Sequence, residues 1–73
     1  MAPPRIEDLA GIAARGGTVV VSGKDGYRST DLGYVASQLQ ERAVLILRDG
    51  AYYSPSSLSY IERQRPGHVL IRR

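Results

Sequence analysis

The stretch Ser22-Gly23-Lys24-Asp25-Gly26-Tyr27-Arg28-Ser29-Thr30 gathers two cations, a carboxylate, a phenol and three hydroxyls within nine residues. Residues of these types suit a phosphate-binding loop, where backbone amides and a helix N-terminus face an anion. The spacing departs from that chemistry. The pattern G-x-x-x-x-G-K-[ST] needs a hydroxyl after its lysine, and here Asp25 follows Lys24. No G-x-G-x-x-G occurs either, so the stretch reads first as a turn between a strand and a helix.

A related turn recurs as Arg48-Asp49-Gly50-Ala51-Tyr52-Tyr53. Both copies run from a cation through Asp-Gly to a tyrosine. Turns of this kind, aligned along one edge of a repeat structure, would set cations and phenol rings in a row that tracks a polyanion, with bases stacked on the rings. Lys24, Tyr27, Arg28, Arg48, Tyr52 and Tyr53 are the residues that would do this, and nucleic acid is the partner they would take. Asp25 and Asp49 lie in the same turns and cancel much of the field.

Catalytic patterns are lacking. His68 is the single histidine, no G-x-S-x-G frames a serine nucleophile, and Glu7, Asp8 and Glu41 read as helix-start and surface carboxylates. With no cysteine and one histidine, neither a thiolate zinc site nor a multi-histidine site can form within one chain. The expectation is a protein that is not an enzyme, with no cofactor and no metal.

The elements that position these residues show themselves as a repeat. Val19-Val20-Val21, Val44-Leu45-Ile46 and Val69-Leu70-Ile71 are spaced 25 residues apart, as are Tyr27 and Tyr52. Upstream of each triplet stands an apolar pair at i, i+3: Leu9 with Ile12, Leu32 with Val35, Leu58 with Ile61. The unit reads helix, strand, turn. Residues 1–73 form one domain with repeat units over about 5–28, 29–53 and 54–73. The middle helix is predicted over 31–42, with Leu32, Val35, Ala36 and Leu39 as its apolar stripe and Ser29, Thr30 and Asp31 offering cap oxygens. The third begins at Ser54-Pro55 and stops before Arg65-Pro66-Gly67; the first follows Pro3-Pro4 and ends at Gly16-Gly17.

Continuous apolar triplets suit strands of a parallel sheet, joined by right-handed crossovers. The expected fold is α/β: three tandem helix-strand repeats forming a small, mostly parallel three-stranded sheet packed by helices. The rival expectation is a pair of hairpins at Asp25-Gly26 and Asp49-Gly50, which would make the sheet mixed. In the order 1-2-3, right-handed crossovers place the connecting helices on one face and leave the other bare. By alternation the bare face carries either Val20, Leu45 and Leu70, or Val19, Val21, Val44, Ile46, Val69 and Ile71. The first set is the expected self-association surface. Covering roughly 400 Å² of apolar surface per chain would contribute on the order of 10 kcal/mol before association costs.

A chain of 73 residues buries only about 60% of its unfolded surface. Without disulfides or metals, a partner is the remaining source of stability. The expected function is therefore a protein-interaction or self-assembly module: a homo-oligomer, or a piece that docks on a larger protein. A small basic nucleic-acid-binding protein is the alternative, in keeping with a net charge of +3 carried by nine arginines and one lysine. Apolar runs are too short to cross a bilayer, and the N-terminal residues show no long apolar signal segment. The cytoplasm is the expected compartment.

Overall fold

In the computed structural model, which describes residues 4–73, helix and strand alternate: α1 (Ile6–Ala14), β1 (Thr18–Ser22), α2 (Ser29–Ser37), β2 (Val44–Arg48), α3 (Pro55–Gln64) and β3 (Val69–Ile71). Short 3-10 turns at Gly23–Asp25 and Gly50–Tyr52 lead from β1 to α2 and from β2 to α3. The three strands form one sheet in the order β1-β2-β3, with both pairs parallel. No helix among the described residues is long and apolar enough to cross a membrane. Pro3, read above as preceding the first helix, lies outside the described residues.

Local chemistry accounts for several element ends. Ser54 caps α3, its hydroxyl accepting from the Ser57 amide at 3.2 Å, and Pro55 takes the first helical position. Gly16, just beyond α1, and Gly67, before β3, both adopt φ of +84°, a conformation open to glycine without a Cβ clash. The middle helix differs from expectation. It starts at Ser29 and ends at Ser37, with Arg28 at the cap position and no side-chain cap bond. The chain leaves the helix early because it must fold back toward β2: the Gln40 amide donates to the Ala13 carbonyl at the end of α1, and the Ala43 amide donates to Gln40. Leu39 stays in the core although it lies past the helix end.

The hairpin expectation is overturned. A two-residue type I′ loop needs positive φ at both central residues. At Asp25-Gly26 only Gly26 is positive, and at Asp49-Gly50 only Asp49 is. Both segments instead turn the chain into a helix.

All three helices share one face of the sheet. Leu9 and Ala13 of α1, Leu32, Val35 and Ala36 of α2, and Ile61 of α3 form a single core with Val19, Val21, Leu45, Leu47 and Val69. The result is a two-layer slab measuring 30 × 28 × 18 Å between its outermost Cα atoms.

The strand register departs from the 25-residue repeat. Thr18 pairs with Val44 and Leu45 with Val69, offsets of 26 and 24 residues. Residues paired across a sheet share a face, and a one-residue slip moves a strand's side chains to the other face. Leu45 therefore joins Val19 and Val69 against the helices and is fully buried. Its expected place on the self-association surface, beside Val20 and Leu70, is incorrect. Ile46 stands between those two instead.

Candidate interaction surface

The open face of the sheet is a grid of three rows. Its middle row is Val20, Ile46 and Leu70, paired directly across β1, β2 and β3. Val20 is 54% exposed and Leu70 48%, while Ile46, flanked on both sides, is half-buried. At the N-terminal end of the strands the row is Thr18 and Val44, continued by His68, whose carbonyl accepts from the Leu45 amide at 2.9 Å. At the C-terminal end it is Ser22 and Arg48, continued by Arg72, whose amide donates to the Leu47 carbonyl at 2.7 Å. Alternation along each strand gives these nine positions one common face. No acidic residue is among them.

Two polar members of the grid, Ser22 and His68, are held in place. The Ser22 hydroxyl donates to Asp49 Oδ2 at 2.6 Å, while the Ser22 amide donates to Asp25 Oδ2 at 3.0 Å. Both turn carboxylates are thereby tied to the upper corner at β1. His68 Nδ1 lies 2.9 Å from the Ala43 carbonyl oxygen; a carbonyl only accepts, so this nitrogen carries the hydrogen. Arg48 and Arg72 are exposed.

The two turns stack on each other at the C-terminal edge, and glycine makes this possible. A Cβ on Gly23 would stand 2.3 Å from the Asp49 carbonyl oxygen and 2.9 Å from Tyr52 Cβ. One on Gly50 would meet Ile71 Cγ2 at 2.9 Å and the Arg72 carbonyl oxygen at 3.1 Å. The repeated Asp-Gly turns thus lie along one edge, as the repeat implied, but as a packed seam.

That seam divides the six residues read as a polyanion surface. Lys24, Arg28, Arg48 and Tyr52 are exposed, Tyr52 at 65%. Tyr27 and Tyr53 are half-buried against the core. The Tyr27 hydroxyl donates to the Pro4 carbonyl, and the Tyr53 hydroxyl donates to the Tyr27 carbonyl at 2.5 Å. Burial pushes both phenols above their ordinary pKa, and the nearby Asp25 carboxylate adds to the effect in each. Two of the three turn tyrosines therefore clamp the chain ahead of α1 and the segment ahead of α2.

Elsewhere, a hollow of about 610 Å³ lies beside α3 among Ser56, Ser59, Glu62, Arg63 and Pro66. A groove of about 490 Å³ runs beside β3 between Tyr53, Leu58 and Ile71. Among the described residues no group of three or more His, Cys, Asp or Glu side chains is placed to hold a metal ion.

Ile46 and Val44 are the apolar members of the open face that the self-association set lacked. The signal was present in strict alternation along β2, once the strand pairing is offset from the repeat by one residue. Compared with protein-family models, with curated proteins and with solved structures, the chain matches none.

Proposed function

We propose that this chain is a non-enzymatic protein-interaction module that works through the open face of its sheet. The observation that carries this reading is the row Val20–Ile46–Leu70, with two aliphatic side chains about half exposed on a face no helix covers. All-parallel sheets are ordinarily covered on both faces, and a contiguous apolar patch rimmed by polar residues marks a contact site. Aliphatic side chains in the centre favour a protein surface over a nucleic acid, because bases stack on aromatic rings. Of the turn tyrosines only Tyr52 is free to offer one.

The β3 edge is a poorer candidate. β3 is three residues long and is followed by Arg72 and Arg73, the short length and flanking charge that discourage edge pairing. The open face has no such protection in its middle row.

A photo-reactive residue in place of Leu70 tests the reading in the cells that make the protein. It is expected to give a covalent adduct with a protein chain, whereas the same group in place of the exposed helix residue Glu62 gives none. No adduct at position 70, or equal adducts at both positions, would overturn it.

A further inference from the structure

We infer that the occupant of the open face is a second copy of this chain, packed sheet to sheet with the strands of the two copies running in opposite directions; this rests on the reading of that face as a protein contact. Three features of the face point to this occupant. First, the slab is flat and broad. The chain spans 30 × 28 Å in its two longer directions, which leaves room on one side for up to about the 800 Å² that a standard interface takes from each partner. The sheet itself is narrower than the slab, and its apolar row forms the centre of the open face.

Second, the pattern is self-complementary. Two-fold contacts bring one patch against itself. An axis perpendicular to the strands sets Val20 over Val20, Ile46 over Ile46 and Leu70 over Leu70, so aliphatic meets aliphatic along the whole middle row. Sheets packed this way lie about 10 Å apart and interdigitate. The product is a four-layer body, helix–sheet–sheet–helix, in which each sheet is covered on both faces.

Third, the charges choose the direction. Arg48 and Arg72 sit together in the row at the C-terminal end of the strands. With strands running the same way, Arg48 of one copy would face Arg48 of the other. With strands opposed, Arg48 lies over Val44 and Arg72 over His68, near the end where Glu41 is exposed in the loop before β2. Opposed strands thus separate the guanidinium groups that like-directed strands would press together.

The chain has no cysteine, so a single introduced thiol reports its own neighbours. Leu70→Cys, in purified protein treated with a short bifunctional maleimide, is expected to cross-link to a second copy in high yield. Glu62→Cys, at an exposed position of α3, is expected not to. Leu70→Glu is expected to retain wild-type circular dichroism and to halve the particle mass, since Leu70 is already half exposed in the single chain. Cross-linking only in mixtures of Val20→Cys with Leu70→Cys, and not within Leu70→Cys alone, would overturn the opposed direction. A purified protein that stays at its monomer mass, with no cross-link at position 70, would overturn the second copy as occupant. If position 70 nonetheless forms adducts with another protein in cells, the contact face stands and the self-pairing falls; if it forms none, both fall.

Discussion

At the residue scale, close approach and hydrogen bonding at the turn seam are the features most open to measurement. Gly23 lets the two turns touch through backbone, while Gly50 lets the second turn lie against Ile71 and the Arg72 carbonyl. Gly23→Ala places a methyl group 2.3 Å from a carbonyl oxygen, which cannot be relieved by rotating a side chain. It should cost about 2–3 kcal/mol, read as a lowered denaturation midpoint in urea. Tyr53 gives a second prediction. Its hydroxyl donates to Tyr27, and its pKa is raised by burial and then by Asp25, Asp31 and Tyr27. The neutral phenol is thus the form the fold prefers. The stability this contributes is complete below the ordinary tyrosine value of 10.0 and is lost as pH rises through the higher folded value. Tyr53→Phe should lose about 1 kcal/mol at neutral pH. It should also show a shallower fall in stability above about pH 10 than the wild type, measured by urea unfolding across the alkaline range.

At the element scale, the assignment of strand residues to two faces decides which substitutions the fold tolerates. Leu45→Asp buries a carboxylate in the core between sheet and helices, where Leu45 has no exposure. That penalty of several kcal/mol rivals the whole stability of a small domain, so the variant should show no cooperative melting transition. Leu70→Asp, on the open face, should shift the single chain's stability by about 1 kcal/mol or less. A melting experiment at a dilution where the chain is monomeric separates the two, and equal destabilisation would contradict the assignment of faces. Much of this scale was legible in the sequence. Ser54-Pro55 and Arg65-Pro66-Gly67 bracket α3 by backbone chemistry alone, and the stripe Leu32, Val35, Ala36, Leu39 is buried throughout. The facing of β2 was not. The triplets match best at an offset of 25 residues, whereas the strands pair at 26 and 24. Three consecutive aliphatic residues look alike from either face, so periodicity alone could not show which way Leu45 points. The hairpin ambiguity had a similar source: Asp-Gly is compatible with several turns, and the φ angles that select among them depend on how the turns stack.

At the scale of the whole molecule, a two-layer slab with helices on one side follows from parallel strands in sequential order, a consequence the sequence already implied. With α1 also on the helix side, no element of the described chain reaches the other face. The apolar row there is too small to hold a permanent complex by itself. An interface built on it with a polar rim belongs with standard or smaller contacts, for which micromolar dissociation is ordinary. Arg48 and Arg72 lie on the rim, so salt should act mainly through them, and modestly, because opposed strands keep them apart.

A self-contact through the uncovered sheet face is read in sedimentation equilibrium of the purified wild-type chain. Over about 1–500 μM the mass should rise reversibly from the 8.0 kDa of the single chain toward twice that value, a rise abolished in Leu70→Glu. A constant monomer mass across the whole range, or a dimer whose mass Leu70→Glu leaves unchanged, would contradict it.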